Sequence, residues 1–144
     1  MDVNTILRNK GRSVAMVHSA ATIERAVALL RSRGIGALVV SDDGESVDGI
    51  VSERDIVDAL ALYGGELLAL QVSEVMTAPA VTCTPDDSVA ELMAEMTNRR
   101  IRHFPVLRDG KLCGIVSIGD LVKSRLDEIE FEATSMRSFI AGAA

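Results

Sequence analysis

The stretch Gly114-Ile115-Val116-Ser117-Ile118-Gly119-Asp120 repeats an earlier one, Gly49-Ile50-Val51-Ser52-Glu53-Arg54-Asp55. Each copy is typical of the end of an apolar strand, followed by a serine and by a helix with an aspartate in its first turn. A helix that begins in this way directs backbone N–H groups and the positive end of its dipole at one point, which favours a phosphate. The two copies therefore predict two related anion sites.

The repeat extends well beyond these seven residues. The segment 35–44 matches 101–110, and the lead-in Val3-Asn4-Thr5-Ile6-Leu7 resembles Val72-Ser73-Glu74-Val75-Met76. Self-similarity on this scale indicates a tandem duplication. The sequence divides into a first unit at 3–62, a linker at 63–71, a second unit at 72–125 and a C-terminal helical extension at 126–141.

Each unit has the pattern of a β-α-β-β-α fold, which places the chain in the α/β (α+β) class. A short N-terminal helix and a long C-terminal helix complete the predicted fold. Thr22 and Ser88 precede the first helices as N-caps, and Asp109-Gly110 is a strong hairpin turn signal. The predicted elements are strands at about 15–18 and 80–84, helices at about 22–33 and 88–98, hairpins over 37–52 and 103–117, and second helices that begin near Glu53 and Ile118.

The tail departs from the repeat, because the helical pattern after Ile118 runs on to about Ile140. Its apolar residues alternate spacings of four and three, which gives a heptad seam. The seam consists of Val122, Leu126, Ile129, Ala133, Met136 and Ile140. Such a seam packs lengthwise on another helix, which can belong to a second chain or to the protein's own body. We favour a second chain, and hence a homodimer.

Composition excludes several functional classes. The 144 residues carry a net charge of −6, with one tyrosine, three phenylalanines and no tryptophan. This balance disfavours binding to nucleic acid or to an anionic membrane surface. The apolar runs are too short to span a bilayer and residues 1–20 lack a signal peptide, which predicts a cytoplasmic protein.

Catalytic and metal-binding motifs are missing from the sequence. It contains no G-x-S-x-G, no H-E-x-x-H and no P-loop, and Cys83 and Cys113 lack the spacing of metal ligands. We therefore predict a protein that is not an enzyme, binds no metal and keeps both thiols reduced.

Tandem β-α-β-β-α units that end in strand-Gly-x-x-Ser-x-x-Asp resemble a pair of CBS domains, named after cystathionine β-synthase. The resemblance covers roughly residues 3–125 and is greatest to stand-alone bacterial pairs. It implies two units packed about a pseudo-twofold axis, with two clefts that bind AMP, ADP, ATP, NAD or S-adenosylmethionine. It also implies dimers, an effector protein that is still unknown, and a regulatory role.

The resemblance assigns the ribose hydroxyls to Asp55 and Asp120, and the phosphate to Ser52 and Ser117. Both copies also place a glycine, Gly49 or Gly114, where backbone can approach a ligand. Ser-x-x-Asp is equally the pattern of a capping box, which satisfies helix amides without any ligand. The same residues therefore also fit a structural or dimerisation module that acts through protein contacts.

Arg99-Arg100-Ile101-Arg102-His103 concentrates basic residues in an acidic protein. Part of this cluster fits a solvated helix end. The resemblance places phosphate contacts at Arg102 and His103, and Arg54 offers another. A protonated His103 would strengthen such an anion site. Gly36 and Ala37 stand at the matching positions of the first unit, so the two sites are not equivalent.

Adenine is expected to lie against backbone and apolar walls, which leave little trace in a sequence. By position, one cleft takes Val17, His18, Ile35, Gly36 and Ala37, and the other takes Cys83, Thr84, Ile101, Phe104 and Pro105.

Overall fold

The chain runs twice through a similar order of elements, in a computed structural model that describes residues 1–143. The fold is mixed α/β with a long C-terminal helix, which confirms the predicted class. The elements are α1 (Val3–Lys10), β1 (Met16–Val17), α2 (Ile23–Arg33), β2 (Ala37–Val40), β3 (Gly49–Ser52), α3 (Glu53–Tyr63), a 3-10 helix (Gly64–Ala69), α4 (Val72–Val75), α5 (Val89–Arg99), β4 (His103–Arg108), β5 (Lys111–Ser117) and α6 (Ile118–Ala143).

Each unit contains one small sheet. In the first, β1 pairs in parallel with β2, and β2 pairs antiparallel with β3. In the second, β4 and β5 form the hairpin, and the strand predicted at 80–84 is reduced to a single parallel bridge between Cys83 and Val106. Pro79 and Pro85 flank that segment and have no N–H to donate, which limits a longer ladder.

The first helix of each unit begins at the predicted cap. Thr22 Oγ1 accepts the N–H of Arg25 at 3.2 Å, and Ser88 Oγ accepts the N–H of Glu91 at 3.3 Å. These bonds satisfy amides that have no partner inside the helix. The caps fix where α2 and α5 start, and so fix the position of the hairpins that follow.

Each unit begins with a lead-in helix, α1 or α4, and each of these helices packs in the core of the other unit. Leu7 of α1 is buried in the core of the second unit with Phe104 and Val116. Val72 of α4 is buried in the core of the first unit with Leu38. Backbone bridges join Asp2 to Ser88 and Thr22 to Gln71 at the two crossings. Each hydrophobic core is therefore completed by the lead-in of the other unit.

This exchange explains the glycines of the repeated stretch. A Cβ on Gly114 would lie 2.6 Å from Leu7 Cδ2, and a Cβ on Gly49 would lie 2.8 Å from the carbonyl oxygen of Thr77. Both distances are shorter than van der Waals contact allows. The close approach inferred at these glycines is therefore made by the lead-in segments of the protein itself.

The heptad seam of α6 is exposed along its length. Leu121 and Ser124 are buried, but Leu126, Ile129 and Met136 are 60%, 46% and 61% exposed. From Ile129 to Gly142 every side chain is exposed, so the body of the protein does not cover the seam. Within residues 1–143, neither α6 nor any other helix is both long and apolar enough to cross a membrane.

Candidate functional site

A cleft of about 650 Å³ lies where the two units meet. The first unit contributes residues 33–37, between α2 and β2. The second unit contributes His103 from β4, with Ser117 and Asp120 at the junction of β5 and α6, and α1 adds Lys10. The volume is in the range of pockets that bind small molecules.

Asp120 lies on the wall of this cleft as an ionised carboxylate. Its Oδ2 accepts the backbone N–H of Ser117 at 2.9 Å and the ammonium of Lys10 at 2.7 Å. Burial opposes ionisation, but the hydrogen bonds from Lys10 and Ser117 outweigh it and lower the pKa of Asp120. The cleft therefore has a fixed negative charge beside the N-terminus of α6.

Asp55 is placed differently, although it occupies the same position in the repeat. Its Oδ2 accepts the N–H and the hydroxyl of Ser52 at 2.9 and 3.0 Å, which closes a capping box. Its Oδ1 accepts the hydroxyl of Thr77 at 2.9 Å. Ser52 and Asp55 line neither of the two clefts described here. The capping interpretation accounts for this pair, whereas Asp120 also faces open space.

His103 packs over Gly36 inside the cleft. A Cβ on Gly36 would lie 3.2 Å from Cε1 of the ring, a tight contact that would push the ring back by a few tenths of an ångström. Burial, with the nearby charge of Lys10, lowers the pKa of His103 below its ordinary value of 6.5. In the free protein His103 is therefore neutral at neutral pH, and it does not add a positive charge to the cleft.

The lowered pKa of His103 predicts a pH dependence of stability. The unfolded chain binds a proton near pH 6.5 and the folded chain only below it, so the fold loses stability as the pH falls through 6.5. We expect the melting temperature to fall between pH 7.5 and 5.5, and to fall less in His103→Gln. His18→Gln, at an exposed histidine, is the control. An equal decrease in wild type and His103→Gln would contradict the assignment.

A smaller cleft of about 280 Å³ gathers guanidinium groups. Arg54 from α3, Arg100 at the end of α5 and Arg102 before β4 line it together with Ile101. Arg54 donates to the carbonyl oxygen of Arg100 at 3.2 Å. The structure thus brings Arg54 and Arg102 together, although the sequence assigned them to the pockets of different units, and it places His103 in the larger cleft.

The residues predicted for adenine are divided between clefts, cores and surface. Ile35, Gly36 and Ala37 line the larger cleft and Ile101 the smaller. Val17, Cys83, Phe104 and Pro105 are buried and line neither cleft. His18 and Thr84 are exposed and line neither cleft. Burial raises the pKa of the Cys83 thiol to about 12, which leaves it unreactive.

Lys10 and Arg33 line the larger cleft but were not singled out by the sequence. Lys10 ends a helix that the sequence assigns to the first unit, and only the exchange of lead-ins brings it to Asp120. Within residues 1–143, no group of three histidine, cysteine, aspartate or glutamate residues is arranged to hold a metal ion.

Comparison with known proteins shows which family the chain resembles in sequence and in structure. The CBS domain model matches residues 10–62 and 72–127. The CBS-domain protein ATU1752 from Agrobacterium tumefaciens has a crystal structure that superposes with a TM-score of 0.84, at 44% identity over 87% of this chain and 99% of that one.

Two other similar structures were solved with ligands. PAE2072 from Pyrobaculum aerophilum, complexed with AMP, has a TM-score of 0.78 at 26% identity, over 92% of this chain and 99% of that one. The CBS domain pair of protein MJ0100, in complex with 5′-methylthioadenosine and S-adenosylmethionine, has a TM-score of 0.75 at 28% identity, over 88% and 98%. With both repeats matched in sequence and in structure, the chain belongs to the CBS domain family, as a tandem pair.

Proposed function

We propose that this chain is a non-catalytic regulatory module that binds an adenosine-containing ligand in the larger cleft. One observation carries the proposal: the ionised Asp120 lies at the wall of a cleft of about 650 Å³, beside the N-terminus of α6. A carboxylate accepts hydrogen bonds from a ribose diol, and a helix N-terminus favours a phosphate. The AMP complex of PAE2072 and the ligands of MJ0100 support this class of ligand.

The roles follow from the lining of the cleft. Asp120 accepts from the ribose hydroxyls, and Ser117 with the first turn of α6 lies near the phosphate. Backbone groups of residues 35–37, at the start of β2, lie against the adenine ring. The smaller cleft, with Arg54 and Arg102, is a second anion site or holds the end of a longer phosphate chain. AMP, ADP, ATP and NAD all have the required groups, and S-adenosylmethionine has all but the phosphate.

Regulation follows from the position of the cleft between the units. A ligand that contacts residues 33–37 of one unit and Asp120 of the other binds most tightly at one relative arrangement of the two. It shifts the population towards that arrangement only by its difference in affinity between the states. Since α6 starts at the cleft and its residues 129–142 are exposed, we propose that α6 carries the change to the second copy and to a separate effector protein.

We also propose a homodimer formed through the second helices of the units. Both helices have exposed apolar residues, Val57 and Leu60 on α3, and Val122, Leu126 and Ile129 on α6, and Val57 and Val122 occupy matching positions of the repeat. Exposed apolar side chains that lie along one face of a helix favour a protein interface. This surface also supports a second candidate, a ligand-free dimerisation module in which both Ser–Asp pairs serve only as helix caps.

Thermal unfolding with added ligand separates the two candidates. AMP at one hundred times its dissociation constant stabilises the fold by about 2.7 kcal/mol, which raises the melting temperature of a domain of this size by roughly 5 to 10 °C. Cytidine monophosphate is the matched control, because it has the same ribose phosphate and lacks adenine. No shift with AMP, ADP, ATP, NAD or S-adenosylmethionine would leave the ligand-free module as the better explanation.

A further inference from the structure

Lys10 forms an ion pair inside the larger cleft. Its ammonium lies 2.7 Å from Asp120 Oδ2 and 3.0 Å from the carbonyl oxygen of Ile115. The side chains of Lys10 and Asp120 are 34% and 24% exposed, so the pair is partly shielded from water. Lys10 therefore holds the carboxylate on which the proposed function depends.

A ribose diol and Lys10 compete for the same carboxylate. A diol that donates to Asp120 replaces or weakens the Lys10 contact, and this leaves an ammonium partly buried without its counter-ion. Such a group is costly unless a new acceptor is close, and hydrogen bonds to charged groups are worth about 1.5–3 kcal/mol. A ligand that brings its own anion supplies that acceptor, whereas an uncharged nucleoside does not.

The remaining charges of the cleft favour an anion. Arg33 at the end of α2 lines it together with Lys10, and Asp120 is the one acidic residue among the described lining residues. Glu53 lies nearby, with its Oε1 3.6 Å from the Cβ position of Gly36. Once Asp120 is engaged by a ribose, the two cations face the ligand with no other lining carboxylate to neutralise them.

We propose that Lys10 is a specificity-determining residue. Its ammonium pairs with Asp120 in the free protein and moves to the phosphate of the ligand when the ligand binds. The cleft thereby selects phosphate-bearing adenosine ligands over uncharged adenosine. This inference rests on the proposed function, since it requires a ribose at Asp120. It adds that the ligand has a phosphate and that Lys10 recognises this phosphate. The four-carbon side chain lets the ammonium move from the carboxylate to a phosphate within the same cleft.

The test is the ratio of dissociation constants for adenosine and AMP, measured by calorimetry. Wild type is expected to bind AMP about 100-fold more tightly than adenosine, because the phosphate regains a charged hydrogen bond that adenosine loses. Lys10→Met should reduce this preference to about tenfold or less. AMP binding weakens because the cation is gone, and adenosine binding improves because Asp120 no longer has a competitor.

Two further variants make the result specific to the charge at this position. Lys10→Arg keeps the cation and should keep the AMP preference even if Lys10→Met folds poorly. Lys111→Met makes the same change at a lysine of the β4–β5 hairpin that lies outside the cleft. It should leave the ratio of the adenosine and AMP dissociation constants unchanged. Suppose that wild type binds AMP but Lys10→Met keeps the full preference for AMP, or that Lys10→Arg loses it. The role proposed for Lys10 is then wrong, and the proposed function stands. If wild type binds neither ligand, the role of Lys10 is wrong, and the proposed function is wrong as well only if ADP, ATP, NAD and S-adenosylmethionine also fail to raise the melting temperature.

Discussion

Asp120→Asn is expected to weaken AMP binding by about 100-fold while the protein stays folded. The amide has the shape of the carboxylate and its oxygen still accepts the N–H of Ser117, so the start of α6 is kept. Two hydrogen bonds from ribose hydroxyls lose their charged acceptor, at about 1.5 kcal/mol each. Calorimetry with AMP measures the affinity, and thermal unfolding without ligand checks the fold.

Asp55→Asn is the matched control from the other unit. Asp55 occupies the same place in the repeat but spends both oxygens on Ser52 and Thr77 and lines neither cleft. We expect it to lower the free energy of unfolding by about 1 kcal/mol and to leave AMP affinity within twofold. Equal losses of affinity in the two variants would contradict the asymmetry of the clefts, and no loss in Asp120→Asn would remove Asp120 from the site.

The double substitution Leu126→Glu with Ile129→Glu is expected to convert a dimer into monomers, which halves the mass measured by light scattering. Both side chains lie on the seam and are largely exposed in the single chain, at 60% and 46%. If a second copy covers them, each glutamate places an unpaired charge in an apolar interface, which costs several kcal/mol. In the single chain both positions are exposed and neither belongs to a hydrophobic core, so the same substitutions should leave the fold intact.

Lys123→Glu is the control, because Lys123 is exposed on the same helix beside the seam. It changes the charge without entering the seam, so the mass should stay that of wild type. If the double variant keeps the wild-type mass, the seam of α6 is not the interface. The exposed apolar residues of α3, Val57 and Leu60, would then be the next candidate.

Most of the architecture was predictable because it depends on local chemistry. The caps at Thr22 and Ser88, the starts of α3 and α6, and the length of α6 follow from side chains within a few positions of each other. The strand expected at 80–84 failed for a reason that is also local, because prolines flank it. Duplication supported the helix and hairpin assignments, because the same pattern of residues occurs at matching positions in both units.

The site was less predictable because its asymmetry comes from distant contacts. Asp120 meets Lys10 from 110 positions away, and Asp55 meets Thr77 from the opposite lead-in. The repeated stretch treats these aspartates as equivalent, and no spacing in the sequence shows which lead-in covers which motif. The same limit applies to His103, whose burial against Gly36 sets its charge.

The exchanged lead-ins make the two units depend on each other for their cores. A unit without its partner would have a groove in its core that the partner's lead-in helix fills. Because both units lie on one polypeptide, this contact is intramolecular and does not depend on protein concentration. Lys10 and Thr77 come from opposite lead-in segments, and they give the two motifs different environments.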